Sequence, residues 1–144
     1  MQTFNSFHPD NTIPTGDWTW VFGSNQGGRH GKGAAKVAHV NFHAVYGVGY
    51  GLTGNSYAIP TKDKHLVALP LEVVAQNIDE FCHFAKSCPD KKFFITRVGC
   101  VLAGFSDDQI APLFQAAFAL ENCSFPNDWA AHIAGADIDA LSAA

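Results

Sequence analysis

Residues 20–35 read WVFGSNQGGRHGKGAA, and no other stretch limits the possible folds as much. Trp20, Val21 and Phe22 are bulky, β-prone residues that read as the end of a buried strand. Gly27, Gly28, Gly31 and Gly33 follow, giving a backbone that turns sharply and approaches a ligand closely. From Gly33 the residues become helix formers: Ala34, Ala35, Lys36, Val37, Ala38. A strand, a glycine loop and a helix N-terminus in succession present unpaired N–H groups to an anion. Arg29, His30 and Lys32 add charge at the same place, so the stretch predicts a phosphate-bearing ligand. The competing reading is a tight structural turn in which Arg29 and His30 face solvent.

The rest of the chain alternates in the same way. Residues 1–17 are polar and broken by Pro9, Pro14 and Gly16, which predicts an extended arm with a short strand near Thr3 and Phe4. Residues 18–23 form the first strand, and a helix over 33–43 carries Val37, Val40 and Ala44 near helical spacing. Residues 46–54, YGVGYGLTG, read as a second glycine loop, followed by a strand over 56–61 that ends at Pro60 and Thr61. The helix over 71–86 is amphipathic: Val74, Ile78, Phe81 and Ala85 share one face, and Pro70 stands just before it. Residues 92–97 predict a strand buried on both faces, because Phe93, Phe94 and Ile95 are continuously apolar. Residues 98–105 are another glycine loop, and Ser106 is the expected N-cap of a helix over 107–120 that Pro112 could bend. A short strand over 122–125 and an Ala-rich tail anchored by Trp129 complete the chain. Alternating strands and helices predict an α/β domain with a mainly parallel sheet, whose ligands sit at the carboxyl ends of the strands. The expected division is an arm at 1–17, a ligand-binding domain at 18–128 and a tail at 129–144.

Composition removes several function classes. A formal net charge of −4 argues against a broad grip on nucleic acid and leaves room for a local basic pocket. No apolar run has the length of a membrane span, and no signal-peptide pattern opens the chain, so the expected location is the cytoplasm. Cys82, Cys88, Cys100 and Cys123 lack CxxC spacing and read as reduced thiols. His39 and His43 are one helical turn apart but have no third ligand in view, so neither a metal nor a cofactor is expected.

Two nucleotide motifs fail on inspection. The stretch GRHGKG lacks the first glycine of a P-loop, Gln26 standing there, and Gly33 occupies the Ser/Thr slot after Lys32. Gly49, Gly51 and Gly54 satisfy GxGxxG, yet they lead into a strand rather than opening a helix.

Three motifs in order remain: FGSN with GRHGKGAA, then GLTGNSYAIPTKD, then ITRVGCVLAGFS. This pattern resembles the macrodomain family of ADP-ribose binders, nearest to small phage-encoded proteins of that type, over residues 20–126. The resemblance implies a three-layer α/β/α fold with a central, mostly parallel sheet. It places Asn25 near a distal ribose and Phe22, Gly23 and Ser24 beside it. It makes Gly28, Arg29, His30, Gly31, Gly33 and Ala34 the first phosphate loop. Gly99, Cys100, Val101, Leu102, Ala103, Gly104 and Phe105 become the second, with Phe105 a candidate for stacking on a base. Family members that remove ADP-ribose carry a Thr-Lys pair, which Thr61 and Lys62 match, and an aspartate where this chain has Ala103. Asp63, Asp107 and Asp108 are the nearest substitutes for that carboxylate. Two functions follow as expectations: a binder that reads or sequesters an ADP-ribose-like nucleotide against a host defence, or a hydrolase using Lys62. An accessory protein with a vestigial pocket is the third.

Overall fold

A computed structural model describes residues 6–100 and 103–132 of the 144-residue chain. Its six strands are β1 (Ser6–His8), β2 (Trp18–Asn25), β3 (Gly51–Thr53), β4 (Ser56–Lys62), β5 (Lys92–Ile95) and β6 (Cys123–Pro126). They form one sheet in the order β1-β6-β5-β2-β4-β3, parallel throughout except that β3 runs antiparallel to β4. The helices are α1 (Gly33–Asn41), α2 (Leu71–Ser87) and α3 (Asp107–Ile110), the last continuing as a 3-10 helix over Ala111–Ala117.

Side-chain alternation along β2 divides the molecule into layers. Val21 points to the face where Val74, Ile78 and Phe81 of α2 meet Phe114 and Trp129. Trp20 and Phe22 point the other way, onto Ala35, Ala38 and Phe42 around α1. Both faces of β2, β4 and β5 are therefore covered, which is why these strands read as apolar runs rather than alternating ones. The aromatic side chains interlock: Trp20 stacks between Phe42 and Phe94, and Phe81 meets Phe93 edge-on at 5.3 Å between centroids.

Three elements differ from expectation. Residues 51–53 are strand rather than loop, because Gly54 and Asn55 make a two-residue turn, with Gly54 at φ +55°, that pairs Thr53 with Ser56. The helix expected over 107–120 leaves α-geometry after Ile110, since Pro112 has no N–H to continue the ladder and the next turn tightens. Residues 6–8, expected within an irregular segment, pair in parallel with Ser124–Pro126 and make the sheet's edge. The strand predicted near Thr3 and Phe4 lies outside the described residues, as do residues 133–144 of the tail. Trp129 is fully buried against Phe114 and donates from Nε1 to Asp107 at 2.7 Å.

The predicted cap on α3 is present as a reciprocal capping box: Ser106 Oγ accepts from Gln109 N, and Gln109 Oε1 accepts from Ser106 N. Replacing Ser106 by Ala is expected to cost about 1 kcal/mol, read as a lower urea midpoint at unchanged slope.

Candidate functional site

The carboxyl ends of β2, β4 and β5 open into a cleft of about 680 Å³, a size suited to a nucleotide. One wall is the start of α1. Its N-cap is Lys32, whose side chain makes no capping bond, and no acid stands in the first turn. Gly31, Lys32, Gly33 and Ala34 line the cleft, so the free amides and the positive end of the helix dipole lie beside it. The opposite wall is the loop after β5, where Thr96, Arg97, Gly99 and Ala103 line the space. Gly99 has φ +74° there, and Phe105 N donates to Gly99 O at 3.0 Å to close the loop.

The base of the cleft comes from β2 and β4: Gly23, Ser24, Asn25, Thr61 and Lys62. A Cβ at Gly23 would stand 3.0 Å from Gly99 N, so glycine there lets the two loops approach. Asn25 is buried and braces the first loop, its Nδ2 donating to Arg29 O at 2.9 Å while Oδ1 accepts from Arg29 N at 3.0 Å. Both ends of that amide are thus engaged by protein. Arg29, Lys32 and Lys62 line the cleft with no acidic partner among the described residues. That leaves uncompensated positive charge around the helix terminus.

Several predicted contact residues lie elsewhere. Phe22 is fully buried in the α1 layer, where strand alternation sets it on the face covered by Ala35 and Ala38. Gly28 is buried behind the loop, where its φ of +67° and its N–H to Asn25 O shape the turn. Phe105, the stacking candidate, packs against the α2-side core. Cys100 joins the same core; burial and the neighbouring Asp107 push its thiol up to about 12, so it is no thiolate nucleophile. Gly104 is exposed and off the cleft, while Val101 and Leu102 lie outside the described residues.

His30 is 2% exposed, held between Phe22, His39 and Tyr46, and neither ring nitrogen has a hydrogen-bond partner. Burial is the largest influence on its pKa and lowers it from 6.5; the Val48 backbone pulls the other way and His39 adds repulsion, the net direction being down, so the neutral ring is favoured in the folded chain. The unfolded chain then binds more protons near that pH. Stability from His30 is full above 6.5 and is lost as pH falls towards the lower folded value. His8 acts in the same direction; its Nε2–H donates to Ile95 O and its Nδ1 accepts from Ser124. Urea midpoints measured from neutral pH downwards are expected to fall in wild type and to fall less in His30→Phe.

Sequence reasoning missed the third wall. His8, Pro9, Asp10, Asn11, Thr12 and Ile13 follow β1 across the mouth of the cleft, with Trp20 and Phe94 beneath them. Arg97 ties this segment down: Nη1 meets Asp10 Oδ2 at 3.3 Å, while Nε and Nη2 grip both oxygens of Asp107. The guanidinium beside Asp107 holds that carboxyl well below its ordinary range. In the sequence this segment read only as part of a polar, extended arm over 1–17 broken by Pro9, Pro14 and Gly16. Tyr46 and Leu66 also line the opening, Tyr46 from the start of the second glycine loop and Leu66 from the turn after β4.

No protein-family model and no curated protein matches this sequence. Among solved structures the chain is similar to Thermosipho africanus DarTG in complex with ADP-ribose, at 16% identity and a TM-score of 0.53. The match covers 75% of this chain, which spans about 37% of the length of that one. At that identity the likeness is one of fold: a three-layer, macrodomain-like α/β/α arrangement.

Proposed function

We propose that the cleft binds ADP-ribose or a nucleotide derived from it, with the diphosphate between the start of α1 and the loop after β5. The observation that carries this reading is the uncapped, acid-free N-terminus of α1 opening on the cleft beside Arg29 and Lys32. A base fits the end walled by Ile13 and Val37 over Trp20 and Phe94, and a distal ribose fits near Lys62. The similarity of this fold to part of a Thermosipho protein solved in complex with ADP-ribose supports the assignment. The phage role, sequestering such a ligand in a host cytoplasm, rests on the motif resemblance.

Hydrolysis is the second reading, and Lys62 on the cleft wall favours it. The carboxylates weigh against it. Asp63 accepts the N–H groups of His65 and Val67 within its own turn, and Asp107 is held by Arg97 and Trp129. Asp108 faces His132 at 3.2 Å, and none of the three lines the cleft. Asp10 does line the cleft, but Arg97 holds it at 3.3 Å, so no unpaired carboxylate stands in for the one that Ala103 replaces. Incubation with ADP-ribosylated protein and oligonucleotide is expected to release no product. Lys62→Ala is expected to weaken ADP-ribose binding about tenfold, the size of one charge-assisted hydrogen bond. Release of ADP-ribose by wild type that Lys62→Ala abolishes would establish the hydrolase instead.

A further inference from the structure

Charge is segregated along this acidic chain. Residues 18–71 hold five of its nine Lys and Arg (Arg29, Lys32, Lys36, Lys62 and Lys64) but one of its 13 acids, Asp63. The fold gathers most of that charge onto one face. The loop at 26–33, the loop at 45–50 and the turn at 62–67 are laced together, with Gly47 N donating to Gly28 O at 2.8 Å and Gln26 N to Lys62 O at 2.9 Å. Gly27 brings the first loop within 3.6 Å of Lys64 Cα, measured from the position its Cβ would take. Arg29, Lys32, Lys36 and Lys64 are exposed and have no acidic partner among the described residues.

Two large aromatic residues belong to this face: Tyr46 lines the same opening as Arg29 and Lys32, and Tyr50 ends the loop laced to theirs. Tyr46 is 58% exposed and Tyr50 54%, both far above what core packing would leave. Tyr46 is braced edge-on by His30 and His39, each 5.8 Å between centroids, so its ring is held in place before any partner arrives. A preset ring costs little entropy when a planar group stacks on it.

We propose that this face, at the mouth of the cleft, is a docking surface for single-stranded nucleic acid. Arg29, Lys32, Lys36 and Lys64 take phosphates while Tyr46 and Tyr50 take bases. Cations interleaved with exposed aromatic rings are what a flexible polyanion with stackable faces requires. An acidic peptide would use the charge and leave the rings idle. The whole-chain charge of −4 confines the interaction to this one side. The surface shares Arg29, Lys32 and Tyr46 with the mouth of the proposed nucleotide cleft and extends beyond it through Lys36, Lys64 and Tyr50.

The test is fluorescence anisotropy with labelled oligothymidylate and oligouridylate of about 15 nucleotides, a length within reach of one small domain. Duplex DNA, polyglutamate and phosphatidylserine vesicles serve as competitors. Binding to either single strand is expected, weakening on the order of 50-fold between about 50 and about 200 mM salt for about four neutralised phosphates. Tyr50→Ala is expected to weaken it about tenfold. The double variant Lys36→Glu with Lys64→Glu is expected to weaken it more, with ADP-ribose affinity unchanged in both variants, because none of the three residues lines the cleft. The proposal is overturned by absent single-strand binding, by competition from polyglutamate or vesicles as strong as from the oligonucleotide, or by charge reversal acting while Tyr50→Ala does not.

Discussion

Gly49→Ala is expected to lower ADP-ribose affinity by about a hundredfold and the melting temperature by about 10 °C, from an estimated 2–4 kcal/mol of destabilisation. The cause is steric. A Cβ at Gly49 would collide with the carbonyl oxygen of Asn25 and sit 3.1 Å from Gly28 N, both in the backbone. Neither can swing aside as a side-chain tip could. Ser24 Oγ also donates to Gly49 O, and that bond, about 1 kcal/mol, is lost if the loop retreats. Retreat would uncouple the 45–50 loop from the end of β2, taking Tyr46 off the rim and removing support from the Asn25–Arg29 brace. Gly31→Ala provides the control. Nothing lies within 4 Å of its would-be Cβ and its φ is ordinary, so stability stays within about 0.5 kcal/mol of wild type. Differential scanning fluorimetry beside calorimetry separates the two variants.

Arg97→Ala is the second large effect. This guanidinium clamps three segments that are distant in sequence: Asp10 beyond β1, Asp107 at the start of α3, and Asp128 at 3.9 Å beyond β6. Its fork meets both oxygens of Asp107 at 3.1 and 2.8 Å, the geometry that a single ammonium cannot copy. Removal leaves Asp107 charged and a quarter exposed, with Trp129 still donating to it. A loss of about 2–3 kcal/mol follows from one charge-assisted pair, with about tenfold in affinity as the 8–13 wall and the loop after β5 loosen together. Arg97→Lys should recover only part of either. The pH dependence identifies the cause. Asp107 has a folded pKa below its ordinary 3.8, so its contribution is full above that value and fades as pH falls through the lower one. The gap between wild type and Arg97→Ala, measured by urea unfolding, should therefore be constant from neutral pH to about 5 and close in stronger acid.

The parts of the fold legible in the sequence are those governed by local rules. β2, β4, β5 and α2 announce themselves by apolar runs or by helical spacing, and the Ser106 cap by a local pair of residues. Glycine loops at strand ends likewise located two walls of the cleft. What was hidden depends on partners far along the chain. β1 is three residues long and exists because Ser124–Pro126 accept it, a pairing that no local signal encodes. Its sequel, residues 9–13, becomes a wall only once Arg97 reaches Asp10 across 87 positions. Phe22 and Phe105 were assigned to the ligand by their place in motifs, whereas strand alternation put Phe22 in the core and loop closure packed Phe105 against it. His30 followed the same course, its place in a basic run masking an apolar site. One missed signal was readable: Gly-Asn between Thr53 and Ser56 is hairpin chemistry, and it would have revealed β3.

The most direct test of the nucleotide cleft is calorimetric titration of the full chain with ADP-ribose, then with ADP, AMP and NAD. Saturable binding of ADP-ribose with a micromolar Kd is the predicted result, with AMP at least tenfold weaker for want of the second phosphate at the α1 terminus. Absence of heat with all four ligands at millimolar concentration would contradict the account and leave only the fold.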